Sequence, residues 1–291
     1  MARPISIPQQ EIDEMIDKYV NHRYSMCKLS KIFGYSQSTI KKCLKNNGVH
    51  IRDLRESHEL FYDKEYFKTI DTPEKAYWLG FIYADGSVSK RNVFSIKLSI
   101  KDINHLYKLK SDLKSQHIVG EYEMESEYGH VKYCMFSINS NEICEQLKNL
   151  GVKCNKTKIC NFPDENILPR EYVWDFIRGF FDGDGSVYIS TYKWENGIYK
   201  CPGVSFVGTE DMLQSILEEV KKHYKTNTTV RPYYDGKPVF DLKFGGIELV
   251  NTIYHLIYDN ATRCLNRKKS VFEQFLIDDK LQTIKLPKEV A

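Results

Sequence analysis

Two short runs of the chain end in the same pattern. Tyr77 to Ser87 reads YWLGFIYADGS and Phe176 to Ser186 reads FIRGFFDGDGS, so Asp85 and Asp184, 99 residues apart, each follow a pair of small residues. Those pairs, Gly80 with Ala84 and Gly179 with Gly183, are four apart. At that spacing they form a helical stripe along which two helices approach backbone to backbone. Glycine inside a helix costs about 1 kcal/mol relative to alanine, and close packing explains tolerating it. A carboxylate at a helix C-terminus faces the negative end of the dipole, a placement unfavourable by up to about 1 kcal/mol. If the two helices pair along their stripes and run parallel, the aspartates face each other and must share a proton or a cation. A divalent metal resolves both problems. Oxygen-only ligands open to water suit Mg²⁺, which keeps waters and joins one or two carboxylates to a phosphate. Such an ion activates water and stabilises the leaving oxygen of a phosphodiester. Gly86 and Gly185 are suited to the left-handed cap that ends each helix. A single Asp-Gly would mark only a helix-to-strand turn; its duplication with the same stripe points to a paired site.

The elements that position these residues also repeat. After the first run come strand-like VFSIKLSI, helical DINHLYKLKSDL, strands around HIVGEYEME and VKYCMFSIN, and helical NEICEQLKNL. After the second come SVYISTY and GVSFVGT, helical EDMLQSILEEVKKHY, a hairpin TVRPYYDGKPVFDLKF, and helical IELVNTIYHLIYD. The expected fold is α+β: two pseudo-symmetric αββαββα units, each with a four-stranded antiparallel sheet. Within the first sheet, Ser95, Lys97, Ser99 and Lys101 alternate with Phe94, Ile96, Leu98 and Ile100. In the second, Ser186, Tyr188, Ser190 and Tyr192 alternate with apolar residues, as do Asp241 and Lys243. One face packs and the other is polar. Two-stranded ribbons fit the major groove of DNA, so these polar faces are candidate base and phosphate contacts.

The front of the chain differs. Residues 1–56 hold ten Lys/Arg against six Asp/Glu, whereas the remainder is nearly balanced, giving a net charge of +3. Ile12, Met15, Ile16 and Tyr19 predict an amphipathic helix. Leu29, Ile32 and Phe33, then Gly34, then Ser36 ahead of Ile40, Cys43 and Leu44, predict two more helices joined by a tight turn. That pattern is similar to the helix-turn-helix of resolvase-like domains, with Gln37, Ser38, Lys41, Lys42 and Lys45 facing outward as DNA contacts. The expected organisation is a small all-α helix-turn-helix domain over 1–56, a linker over 57–72, and repeats over 73–165 and 166–291.

The full chain of 291 residues is 42% hydrophobic and 28% charged, which excludes global disorder. No apolar run reaches the roughly 18 residues of a membrane span, and the start lacks a secretory signal core. Eight scattered cysteines without a CxxC pair exclude a zinc site of the usual spacing. These features predict an intracellular protein, cytoplasmic and nucleoid-associated or organellar, with no membrane partner. P-loop, dinucleotide and conventional nucleophile motifs are absent.

WLGFIYADG and IRGFFDGDG resemble the two signature helices of the LAGLIDADG homing endonucleases, and the resemblance extends over about residues 73–291. It implies a monomeric, site-specific endonuclease that hydrolyses both strands of a long, asymmetric double-stranded DNA target. It implies a metal site of Asp85 and Asp184 with Ala84 and Gly183, filled by Mg²⁺ or by Mn²⁺ as a substitute. It also implies a lysine near the scissile phosphates of each half. Lys268, in RCLNRKKSVFEQF, matches one, and Lys156, with Lys158 as alternative, matches the other. A lysine there would stabilise the pentavalent phosphate or position the attacking water. At the sixth motif position the copies differ, Tyr83 against Asp182, and we read this as packing or a break in pseudo-symmetry. A non-cleaving DNA-binding regulator, or an RNA-binding intron maturase on the same scaffold, is the competing expectation.

Overall fold

Ser25 and Ser36 each accept a backbone N–H three residues on, from Lys28 and Thr39, and so start two short helices. In the computed structural model these are α2 (Met26–Phe33) and α3 (Gln37–Asn46), preceded by α1 (Gln9–Val20). The structure describes residues 7–22, 24–52, 60–126, 129–153, 161–194, 197–233 and 238–277. Gly34 ends α2 with φ of 75°, the left-handed conformation the turn requires. Met15, Tyr19, Leu29, Ile40 and Leu44 form the core of this unit. Ile32, expected inside, is 48% exposed, because three short helices enclose only one narrow apolar seam. The chain divides into two units, Met1–Phe61 and Tyr62–Ala291.

The second unit contains two copies of one arrangement. The first runs α4 (Pro73–Asp85), β1 (Gly86–Val88), β2 (Val93–Ser99), α5 (Ile103–Asp112), β3 (Val119–Ser126), β4 (Gly129–Asn139) and α6 (Asn141–Asn149). The second runs α7 (Val173–Asp184), β5 (Gly185–Trp194), β6 (Gly197–Gly208), α8 (Glu210–Lys221), β7 (Arg231–Pro232), β8 (Phe240–Gly245) and α9 (Ile247–Tyr258), followed by α10 (Asn266–Ile277). The sheets are antiparallel and four-stranded, in the orders β1-β2-β4-β3 and β5-β6-β8-β7. The fold is α+β.

Phe94, Ile96, Phe136 and Ile138 bury one face of the first sheet, and Val204, Phe206, Leu242 and Phe244 bury one face of the second. Tyr62, Tyr66, Phe67 and Ile70, which lie in the stretch read as a linker, join this core. Strand β2 is shorter than its alternation suggested. It stops at Ser99, and Lys101 sits in a 3-10 turn, Ile100–Asp102, where the Ser99 hydroxyl accepts the Lys101 N–H. Lys101 is therefore off the sheet face.

Gly86 and Gly185 do not adopt left-handed caps. Their φ/ψ are −74°/159° and −86°/162°, ordinary extended backbone that leads straight into β1 and β5. Glycine is needed for space. A Cβ on Gly86 would lie 2.8 Å from the Ile82 side chain, and one on Gly185 would lie 2.1 Å from the Phe181 ring.

Candidate functional site

The two motif helices meet at their backbones. A Cβ on Gly80 would stand 2.0 Å from the Phe176 carbonyl oxygen, and one on Gly179 would stand 1.9 Å from that of Tyr77. Neither helix would tolerate a side chain there at this separation. Four residues further along each helix, Ala84 meets Gly183, whose absent Cβ would be 2.2 Å from that of Ala84. The helices therefore run in the same direction, and both C-terminal ends emerge together. The Asp85 Oδ2 lies 3.3 Å from the point where a Cβ on Gly183, the residue before Asp184 on the opposite helix, would be. Asp85 is half-buried and Asp184 exposed.

The donors gathered here are oxygens. Among the described residues no group of three or more His, Cys, Asp or Glu could hold a metal. A pair of carboxylates at water-exposed helix ends fits a hard cation that retains waters and takes further oxygens from a phosphate. It does not fit a thiolate- or imidazole-bound metal.

Lys268, on α10, reaches into the end of α7. Its Nζ donates to the carbonyl oxygens of Phe181, Gly183 and Gly185 at 2.8, 2.9 and 2.6 Å. An ammonium has three N–H donors, and these bonds occupy all of them. Burial lowers its pKa to about 8, a shift opposed by the charges of Asp182, Asp85 and Asp184. Lys268 thus closes the helix end that carries Asp184. Lys156 and the alternative Lys158 lie outside the described residues.

Asp182 is buried, and its carboxylate accepts the hydroxyls of Tyr77 and Tyr258 and the backbone N–H of Leu265, at 2.8, 2.9 and 2.6 Å. Burial raises its pKa, and the three donors oppose that rise. Its counterpart Tyr83 donates its hydroxyl to the Leu150 carbonyl oxygen at 2.7 Å. Each residue at the sixth motif position therefore ties the last helix of its own repeat, or the segment after it, to the central helix pair.

The segment leading to Lys268 is fastened further. Buried Arg178 donates to the carbonyl oxygens of Ile257 and Arg263. The Arg263 guanidinium makes two bonds to Asp112, at 2.6 and 2.8 Å, and Asp112 also accepts the Trp78 indole N–H. Arg267 makes two bonds to Asp102, and Lys108 donates to the Cys264 carbonyl oxygen. Residues 263–268 therefore join α5 of the first repeat to α7 of the second. The sequence reading missed Arg178, Arg263 and Asp112; the only hint was a run of basic residues before an apolar helix.

On the sheets, Lys97, Ser99, Ser186 and Tyr192 are exposed, while Ser95, Tyr188 and Ser190 are half-buried. Asp241 is buried and ion-paired with Lys243, which is exposed. In the first unit Gln37, Ser38, Lys41, Lys42 and Lys45 all lie exposed on α3. Gln37, Ser38 and Lys41, with Arg52, line an open pocket of about 450 Å³.

No protein-family model matches the chain. It is 29% identical over 225 residues to the replication factor C small subunit of Methanocaldococcus jannaschii, covering 72% of this chain and 12% of that protein. It is 32% identical over 112 residues to DNA-directed RNA polymerase subunit Rpo1C of the same organism, covering 38% of this chain and 12% of that protein. The chain thus spans about an eighth of the length of the curated relatives it matches. Among solved structures it is similar to the I-SmaMI LAGLIDADG homing endonuclease bound to cleaved DNA, at 13% identity and a TM-score of 0.48, covering 71% of this chain and 88% of that one. It is also similar to the I-LtrWI LAGLIDADG homing endonuclease bound to target DNA, at 13% identity and a TM-score of 0.45, covering 75% of this chain and 93% of that one.

Proposed function

We propose that the chain is a LAGLIDADG-type, site-specific endonuclease that acts as a monomer and hydrolyses both strands of a double-stranded DNA target. The observation that carries this reading is the convergence of Asp85 and Asp184 at the ends of two parallel helices packed through glycine. A binding protein needs neither carboxylate. Asp85 and Asp184, with Ala84 and Gly183 beside them, would hold Mg²⁺, or Mn²⁺ in its place, supplying Lewis-acid activation of water and of the scissile phosphate. The helix contact fixes the two carboxylates relative to each other, so little reorganisation remains when a phosphate arrives.

Lys268 holds the carbonyls at the end of α7 and places positive charge beside both acids. That charge favours approach of a phosphate to a site whose acids and helix dipoles are negative. Arg178, Arg263 and Asp182 act as positioning residues for it.

The two sheets would lie in successive stretches of major groove, and their unequal side chains would read unequal half-sites. The helix-turn-helix of residues 1–56 would lengthen the footprint through Gln37, Ser38, Lys41, Lys42 and Lys45. For this division of labour we propose a binding domain over 1–56 and repeats over 73–165 and 166–291; of the stretch 57–72 between them, Tyr62, Tyr66, Phe67 and Ile70 pack with the repeats. Incubating the full chain with a randomised duplex library tests the reading. With Mg²⁺ present a small set of sequences is cut and with EDTA none is; uniform survival of the library in both would refute it.

A further inference from the structure

The faces that the two sheets leave uncovered differ in chemistry. In the first repeat, β2 to β4 pair so that Lys97 lies opposite Met135, Ser99 opposite Tyr133, Tyr133 opposite Tyr122, and Val131 opposite Met124. These residues share the face turned away from the core. Tyr122, Met124 and Val131 are 43%, 43% and 42% exposed. The rings of Tyr122 and Tyr133 stack at 5.3 Å, and the Lys97 ammonium sits 3.7 Å from the Tyr133 ring centroid and 3.6 Å from the Met124 sulfur. From Lys97 to the β3–β4 turn the described positions on this face carry no Arg, Asn, Gln, Asp or Glu, and Asn139 lies on it at the opposite end, across from Val93. On the matching face the second repeat carries Arg231, Asp241 and Lys243 on its β7–β8 pair, with serines, Tyr188 and Tyr192 on the neighbouring strands.

Guanine is read by Arg or Lys and adenine by Asn or Gln, whereas the thymine C5-methyl is read by apolar contact. Lys97 lies against the Tyr133 ring and the Met124 sulfur, and beyond it, toward the β3–β4 turn, Tyr122, Met124 and Val131 offer apolar contact. The reverse side of the same hairpin carries Glu121, Glu123 and Glu125, with Glu123 bonded to Lys132 and His130 and Glu125 to His130. Phosphates are repelled there and attracted on the Lys97 side, so the duplex meets the apolar face.

We infer that Tyr122, Met124 and Val131 make the first repeat selective for thymine methyl groups in its half-site. This rests on the DNA-cutting function proposed above. The second repeat, with Arg231, Asp241 and Lys243 on the corresponding strand pair, lacks this apolar cluster there, and the target is chemically lopsided.

Duplexes bound by the full chain are selected from a randomised pool, and the winning target is remade with uracil in place of each thymine in turn. Uracil differs from thymine only by the absent methyl. Loss of one methyl contact weakens binding about fourfold. We expect thymines clustered in one half-site, uracil sensitivity confined to them, and loss of that sensitivity in the double variant Met124→Ala, Val131→Ala. A target bound and cut normally whose affinity is the same with uracil and thymine would overturn the inference and leave the nuclease reading standing. Failure to enrich any duplex would overturn both.

Discussion

The backbone N–H of Leu265 donates to the Asp182 carboxylate at 2.6 Å, joining the motif helix α7 to the segment that carries Lys268. Asp182 is two residues from Asp184, so one short stretch of helix both presents a proposed metal ligand and anchors the segment that caps its end. Replacing Asp182 by alanine leaves the hydroxyls of Tyr77 and Tyr258 and the Leu265 N–H buried without their acceptor. A loss of roughly 3 kcal/mol in urea unfolding is expected, and Asp182→Asn, which keeps an acceptor, should lose less. Equal, near-zero effects for both would show that the network carries little stability.

Gly80 and Gly179 admit no Cβ at the present helix separation. Gly80→Ala or Gly179→Ala must push the helices apart at their crossing, costing about 3 kcal/mol or more despite alanine's better helix propensity. Thermal unfolding of the two variants measures this. A rise in Tm in either would mean that the helices are not in backbone contact.

His105 is buried against Tyr77, Trp78 and Phe81, and burial pushes its imidazole down to about 3. An unfolded histidine titrates near 6.5, so the folded chain binds fewer protons between these values. The stability due to neutral His105 is complete above pH 6.5 and is lost as pH falls toward 3, at roughly 1 kcal/mol per pH unit. Urea unfolding between pH 7 and 4.5 should therefore fall more steeply for the native chain than for His105→Gln. Parallel slopes would refute this assignment.

The glycine stripes, the duplicated order of elements and the two sheets were legible in the sequence because each is a local pattern that occurs twice. Gly86 and Gly185 were found, but for the wrong physical reason: crowding by Ile82 and Phe181 depends on tertiary packing, and a chain read residue by residue suggests only a turn. Lys268 was found as well, yet its three carbonyl partners lie more than 80 residues away, so its capping contacts were not legible. The outer face of the first sheet looked polar because β2 alone was read. Register brings Met135, Tyr133, Tyr122, Val131 and Met124 onto that face, and register is a property of the pairing.

Asp112 binds both Arg263 and the Trp78 indole, linking the first repeat to the segment before Lys268. Asp112→Ala removes that link while leaving the carboxylates of Asp85 and Asp184 in place. Cleavage under saturating DNA should fall about tenfold, with DNA affinity little changed, since the variant loosens the cap on α7 and leaves the sheets intact. Weakened affinity with an unchanged cleavage rate would contradict the positioning role.

The central claim is that Asp85 and Asp184 act together on the scissile phosphates. Its most direct measurement is cleavage of a selected target in Mg²⁺ by Asp85→Asn and Asp184→Asn, alongside gel-shift affinity for the same duplex. We predict at least about a hundredfold loss of cleavage in each variant, with the duplex bound as tightly as before. Cutting at the native rate by either variant would contradict the account.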